Sequence, residues 1–188
     1  MSMKRFPLEQ YATLELNQVA FPKTGMVVSQ TPLGSEFTKD APCENGMWVL
    51  ADKAKGTIGS ATAVTDTPIG IVYTAEKEYD MYHYGLKTFG RKIAGDYPRV
   101  GIFGLGDTVT TNCLQYDDSE TGFTTDAAVE ATLAACDTTP VYVILVANSP
   151  VPKLTKVLTS YEGPVAKVVK YYTVPNGEKG VKYQIIKL

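Results

Sequence analysis

The chain has 188 residues, of which 44% are hydrophobic, and a formal net charge of -2. That length buries one substantial core without help from disulfides or metals. The acidic balance leaves no basic footprint for tracking phosphates, which argues against nucleic acid as a direct partner. No uninterrupted apolar run reaches membrane-spanning length, and the N-terminus, though it carries Lys4 and Arg5, lacks the apolar stretch of a signal peptide. These features predict a soluble chain made in a cytoplasm, with no membrane partner.

In chain order, the first twenty residues are ambiguous. Leu8, Tyr11 and Leu14 fit a short helix, while residues 12–17 alternate as a strand would. A terminal segment with scattered large apolar residues, Phe6, Leu8, Tyr11 and Leu14, docks either on its own domain or on a neighbouring subunit. Residues 1–20 are therefore taken as an N-terminal arm and residues 21–188 as one β-rich domain, with 148–188 as its C-terminal hairpin unit.

From Phe21 onward turn signals recur at short intervals, among them Pro22-Lys23-Thr24-Gly25, Glu44-Asn45-Gly46 and Asp66-Thr67-Pro68. Between them lie runs rich in Val, Ile and Thr: Met47-Trp48-Val49-Leu50, Pro68-Ile69-Gly70-Ile71-Val72-Tyr73, Val100-Gly101-Ile102-Phe103 and the stretch 107–112. Short strands without long intervening helices predict a mainly β fold, an antiparallel β-sandwich or barrel with long loop insertions. Residues 74–97 break the rhythm with aromatics, glycines and charges, as a long hairpin or loop would.

Residues 122–137 have helix-forming composition behind Thr124 and Thr125, either of which can cap a helix. At most one or two short helices are expected. The apolar run 141–147 predicts a strand buried on both faces, ended by Asn148-Ser149-Pro150-Val151-Pro152. Residues 165–174 and 181–186 flank a loop containing Asn176-Gly177 and predict a C-terminal hairpin. Its lysines, Lys167, Lys170, Lys182 and Lys187, either guard an edge strand against indiscriminate pairing or meet an acidic partner.

Catalytic equipment is sparse. The order of Gly101, Gly104 and Gly106 is wrong for a phosphate-binding loop, and strand-like residues follow it. The single histidine, His83, sits between Tyr82 and Tyr84, a setting that suits packing or an interface better than general-base work. Cys43, Cys113 and Cys136 are too dispersed for a zinc site and odd in number, so they are expected to be reduced and mostly buried, with Cys43 the most exposed. Asp117-Asp118-Ser119-Glu120 lacks the spacing of a calcium loop and is taken as a solvated turn. No metal, no cofactor and no enzymatic activity are expected. The tyrosines suit a contact surface, because tyrosine buries large area while its hydroxyl tolerates water. Tyr79, Tyr82, His83 and Tyr84, in a cluster with Tyr73 and Tyr97, join Phe6, Leu8, Tyr11 and Leu14 as the expected interface residues.

One unit carries a resemblance. Asn45-Gly46-Met47-Trp48-Val49-Leu50-Ala51, a threonine- and alanine-rich connection, and then Thr67-Pro68-Ile69-Gly70-Ile71-Val72 resemble the modules of small β-rich decoration, or cement, proteins of tailed-bacteriophage heads. The resemblance implies a virion structural protein on the capsid exterior. Its partners would be the major capsid protein and neighbouring copies of itself, and the N-terminal arm would extend onto a neighbour. A tail, neck or baseplate component is the alternative, followed by a hydrolase or glycan-binding module.

Overall fold

The computed structural model describes residues 2–7, 11–14, 27–28, 31–74, 92–173 and 177–188. Its strands, in chain order, are β1 (Met3–Arg5), β2 (Val27–Val28), β3 (Trp48–Leu50), β4 (Ile69–Val72), β5 (Val100–Ile102), β6 (Thr108–Thr111), β7 (Gln115–Asp117), β8 (Tyr142–Val146), β9 (Ser149–Thr155), β10 (Val165–Thr173) and β11 (Lys179–Lys187). One α-helix, α1 (Asp126–Ala134), and a 3-10 turn at Lys53–Lys55 complete the described elements. The fold is mainly β, as the strand pattern predicts, in two packed sheets.

The larger sheet has seven strands in the order β1-β7-β9-β8-β10-β11-β6, and the smaller has four in the order β2-β5-β4-β3. In the larger sheet β6 and β7 are separated by four intervening strands, yet they are joined by residues 112–114 alone. Five interstrand steps of about 4.8 Å would set them about 24 Å apart in a flat sheet. Four Cα–Cα steps from Thr111 to Gln115 reach only about 15 Å. The sheet therefore has to curl, and residues of both sheets meet in one main core.

In the smaller sheet β3 and β4 are buried on both faces. Trp48, Leu50, Ile69 and Ile71 enter the main core with Phe103, Tyr183, Leu145 and Phe123. Val49, Val72 and Val100 turn the other way, into a second core with Phe37, Met47, Ile58, Cys113 and Val151. This is the period-two alternation of a strand, with both faces covered. Gly70 is required at its centre: a Cβ there would lie 2.5 Å from the Gly101 carbonyl oxygen and 2.7 Å from Val100 Cγ1 on the adjacent β5. Gly46 is required at the turn before β3, where φ is +94° and a Cβ would lie 2.5 Å from Cys113 Cβ.

The helix forms where its composition predicts. Thr125 is its N-cap, with Oγ1 accepting from the Ala128 amide at 3.2 Å, and Val129 and Leu133 face the core. The C-terminal hairpin also forms, as β10 and β11. Three expectations are corrected. Residues 142–146 bury only Val143 and Leu145, leaving Tyr142, Ile144 and Val146 half-exposed, because one face of β8 is the sheet's outer face. Residues 149–155 continue as a strand despite Pro150 and Pro152: the pairing of β8 with β9 shifts between Ile144 and Val146, so the missing proline donors fall where the ladder is already interrupted. Asp117 is 4% exposed within β7 rather than in a solvated turn.

For the N-terminal segment the structure takes the first of the two alternatives, docking on its own domain. Where described, it is woven into the domain. Met3, Lys4 and Arg5 pair antiparallel with Asp117, Tyr116 and Gln115. The Phe6 amide donates to the Leu114 carbonyl at 2.8 Å, and Leu14 bridges Thr111. Phe6 and Leu14, at 1% and 3% exposure, belong to the main core, so they are not available to a neighbouring subunit. Burying a phenylalanine ring in this chain's own core gains more than leaving it wet for a partner, by about 2 kcal/mol. Phe6→Ala is expected to lower unfolding stability by about 3–5 kcal/mol in urea titration. A loss under about 0.5 kcal/mol, typical of a surface site, would restore the arm as a separate element.

Candidate functional site

Strapping the N-terminal segment across the domain creates a cleft of about 480 Å³. Arg5 and Tyr11 come from the segment; Glu36, Asp40 and Glu44 come from the loop before β3; Asn148 comes from the β8–β9 turn and Pro150 from the start of β9. Phe37, Met47 and Val151 give it an apolar floor. Glu44 is the joint. Its Oε2 accepts from the Ala12 amide at 2.7 Å and from Arg5 Nη2 at 3.1 Å, and the residue is 8% exposed. A carboxylate this buried is tolerable because a cation and a backbone donor meet it together. Glu36 Oε1 accepts from the Ser60 amide at 2.5 Å, while Asp40 stands exposed at the rim. With one arginine against three carboxylates, the cleft carries negative charge.

A second polar cluster sits on the outer side of β7 and β9. Asp117 Oδ1 accepts from the Ser119 hydroxyl at 2.6 Å and the Ser119 amide at 3.0 Å, and Lys153 Nζ lies 3.5 Å from Oδ2. Glu120 lies 3.7 Å from the same ammonium and accepts from the Thr155 hydroxyl and the Lys156 amide. These carboxylates are engaged in tying the 117–120 turn to β9. The Ser119 donors, with Lys153 adding, hold the Asp117 carboxyl below its ordinary range. Among the described residues no group of three or more His, Cys, Asp and Glu side chains could hold a metal ion.

The outer face of the larger sheet is the third surface. Tyr142, Lys167 and Gln184 form one cross-strand row over β8, β10 and β11. Lys170 and Lys182 form the next pair. Val169 and Ile186, exposed by 53% and 47%, sit at the register shifts of β10 and β11.

The expected interface residues do not converge in the described structure. Phe6 and Leu14 are core, and Tyr11 is half-buried at the cleft. Leu8, Tyr79, Tyr82, His83 and Tyr84 lie outside the described residues. Of the other tyrosines in that cluster, Tyr73 packs on the main core under Arg99, 5.8 Å from its ring centroid, and Tyr97 is exposed. Arg5 and Glu44, which build the cleft, are not singled out by the sequence. The available signal is Glu44 itself, an acid set between Cys43 and the apolar run from Met47, where a buried charge needs a partner.

The thiols are structural. Cys43 and Cys113 are fully buried in the second core and Cys136 is 7% exposed, so the expectation that Cys43 is the most exposed is reversed: its backbone bridges to Lys92 and seals it in. Burial pushes the Cys113 thiol up to about 12 and the Cys43 thiol well above its usual range. No protein-family model, no curated protein and no solved structure matches this chain.

Two measurements test this arrangement. The contribution of Asp117 is present above the unfolded-chain value of about 3.9 and is lost as pH falls through the lower folded value. Asp117→Asn should therefore flatten the acid limb of the stability curve below about pH 4 in denaturant titrations; an unchanged limb would contradict the assignment. At pH 8, Cys43 and Cys113 should react with an aromatic disulfide reagent only on unfolding. Rapid native labelling of both would place them at the surface.

Proposed function

We propose that this chain is a structural protein of a tailed-bacteriophage virion, a decoration or cement protein that binds the assembled capsid and stabilises the shell. The observation that carries the reading is the unit from Asn45 to Val72. Its two strands pair as β3 and β4, with Trp48 opposite Ile71 and Leu50 opposite Ile69, and Gly46 and Gly70 are sterically required. The connection between the strands is held locally: Asp66 Oδ2 accepts from the Thr62 amide and hydroxyl and from the Ala63 amide, at 2.8, 2.9 and 3.0 Å. The unit that resembles decoration modules is thus the framework on which both cores are built.

The physical role follows from linkage. A protein that binds only the closed lattice stabilises that state by its binding free energy, and many equivalent weak contacts add through multivalency. A rigid, two-core domain suits the task, since little ordering entropy is lost on docking. Quantitative mass spectrometry of purified particles, separated into heads and tails, tests the reading. The chain is expected in the head fraction in copy number proportional to the capsid protein, and particles stripped of it should release DNA at a lower temperature. Recovery in tails alone would support the tail or baseplate reading, and absence from particles would overturn both.

A further inference from the structure

The outer face of β10 and β11 carries charge that no carboxylate of the described residues answers. Lys170 and Lys182 are direct cross-strand partners, an arrangement of like charges that costs stability. Among the described residues no carboxylate pairs with either of them, or with Lys167. Protection of an edge strand does not account for all of the lysines. Lys167 pairs with Tyr142 of β8 and Gln184 of β11, and Lys182 lies between Lys170 of β10 and Thr110 of β6, so both stand inside the sheet, whereas β10 has no β8 partner beyond Lys167. Exposed Val169 and Ile186 interrupt the lysines with apolar surface.

The charge that would answer them is elsewhere on the same chain. Residues 165–188 hold five lysines and one acid, Glu178, a net of +4. Residues 1–164 hold 13 basic and 19 acidic side chains, a net of -6, which together with the hairpin gives the formal -2. The cleft concentrates part of that negative charge, with Asp40 exposed at its rim and Phe37, Met47 and Val151 beneath. Lysines flanked by valine and isoleucine match carboxylates flanked by an apolar floor. A polyanion such as nucleic acid is a poorer fit, because the acidic remainder of the chain repels it.

We propose that this chain associates head-to-tail with a second copy of itself, the basic face of β10–β11 of one copy seated on the acidic cleft of the next. The contact uses two different patches, so it is heterologous and propagates into a ring or an open chain. The inference stands apart from the virion reading: a protein monomeric in solution but bound to capsids would overturn only this proposal, and a self-associating protein absent from particles would overturn only that reading.

Sedimentation velocity on the full chain, up to about 1 mM, the effective concentration that multivalent arrays reach, is the test. Concentration-dependent assembly is expected at low salt, weakening as salt screens the contact. Lys170→Glu should weaken association about tenfold, yet raise the thermal midpoint slightly, because it sets a carboxylate opposite Lys182. Asp40→Lys should weaken association similarly, and the two together should restore it. If Lys170→Glu misfolds, Lys182→Glu makes the same exchange from the other strand. A monomer at every concentration and salt, association untouched by either reversal, or capture of poly-L-glutamate by a chain that does not self-associate would each overturn the proposal.

Discussion

Trp48 meets Tyr183 at the point where the two sheets face each other, and the main core is arranged around that meeting. The indole Nε1 donates to the tyrosine hydroxyl at 2.9 Å with both side chains fully buried. Phe103 and Tyr183 stand edge-on to the indole at centroid separations of 4.9 and 5.9 Å. Each such aromatic pair contributes about 0.5–1.5 kcal/mol beyond the area buried. The hydrogen bond adds little net, but leaving either group unmatched would cost about 1–3 kcal/mol. The asymmetry fixes register: sliding β3 by one residue would send Trp48 to the second core and strand the Tyr183 hydroxyl in apolar surroundings. Burial pushes the Tyr183 hydroxyl far above its ordinary range, so it remains a neutral partner for the indole.

That register determines where the loops before β3 can lie, and through them where the N-terminal segment binds. Glu44 is four residues from Trp48, on the far side of the Asn45-Gly46 turn, and the required positive φ of Gly46 aims the turn at Cys113. The carboxylate is then in place for Arg5 and the Ala12 amide. Residues 3–6 and 13–14 run beside residues 111–117, from the Met3–Asp117 pair to the Leu14–Thr111 bridge. Those residues also lead from β6, at one edge of the larger sheet, to β7, next to the other edge. The strap thus ties down that connection, and the cleft is the space left beside it.

Much of this was legible in sequence because it is local. Turn chemistry at Asn45-Gly46 and Asp66-Thr67-Pro68, β-branched runs, and a threonine before an alanine-rich stretch each specify geometry within a few residues. What was not legible depends on partners distant in the chain. Nothing near Pro150 and Pro152 reveals that β8 shifts register opposite them. Phe6 shows no periodicity that separates its own core from another subunit's. Asp117 looks like a loop acid until Ser119 and Lys153 are set beside it. The cleft was hidden for the same reason, since Arg5, Glu44 and Pro150 come from three separate regions.

The lysines of the C-terminal hairpin show how topology changes the meaning of a composition. In sequence, lysines spaced along two strands fit an exposed edge that must be kept from pairing, where their hydration and repulsion are useful. Inside a sheet that use disappears, as it does for Lys167, paired with Tyr142 and Gln184, and for Lys182, set between Lys170 and Thr110. The repulsion between Lys170 and Lys182 then remains as a cost that no carboxylate among the described residues offsets, in a chain whose other 164 residues carry the opposite net charge. A sheet face of this kind is relieved by an external carboxylate, and its exposed valine and isoleucine make the relief directional: a counterion satisfies the charges, whereas only a contoured surface also covers Val169 and Ile186.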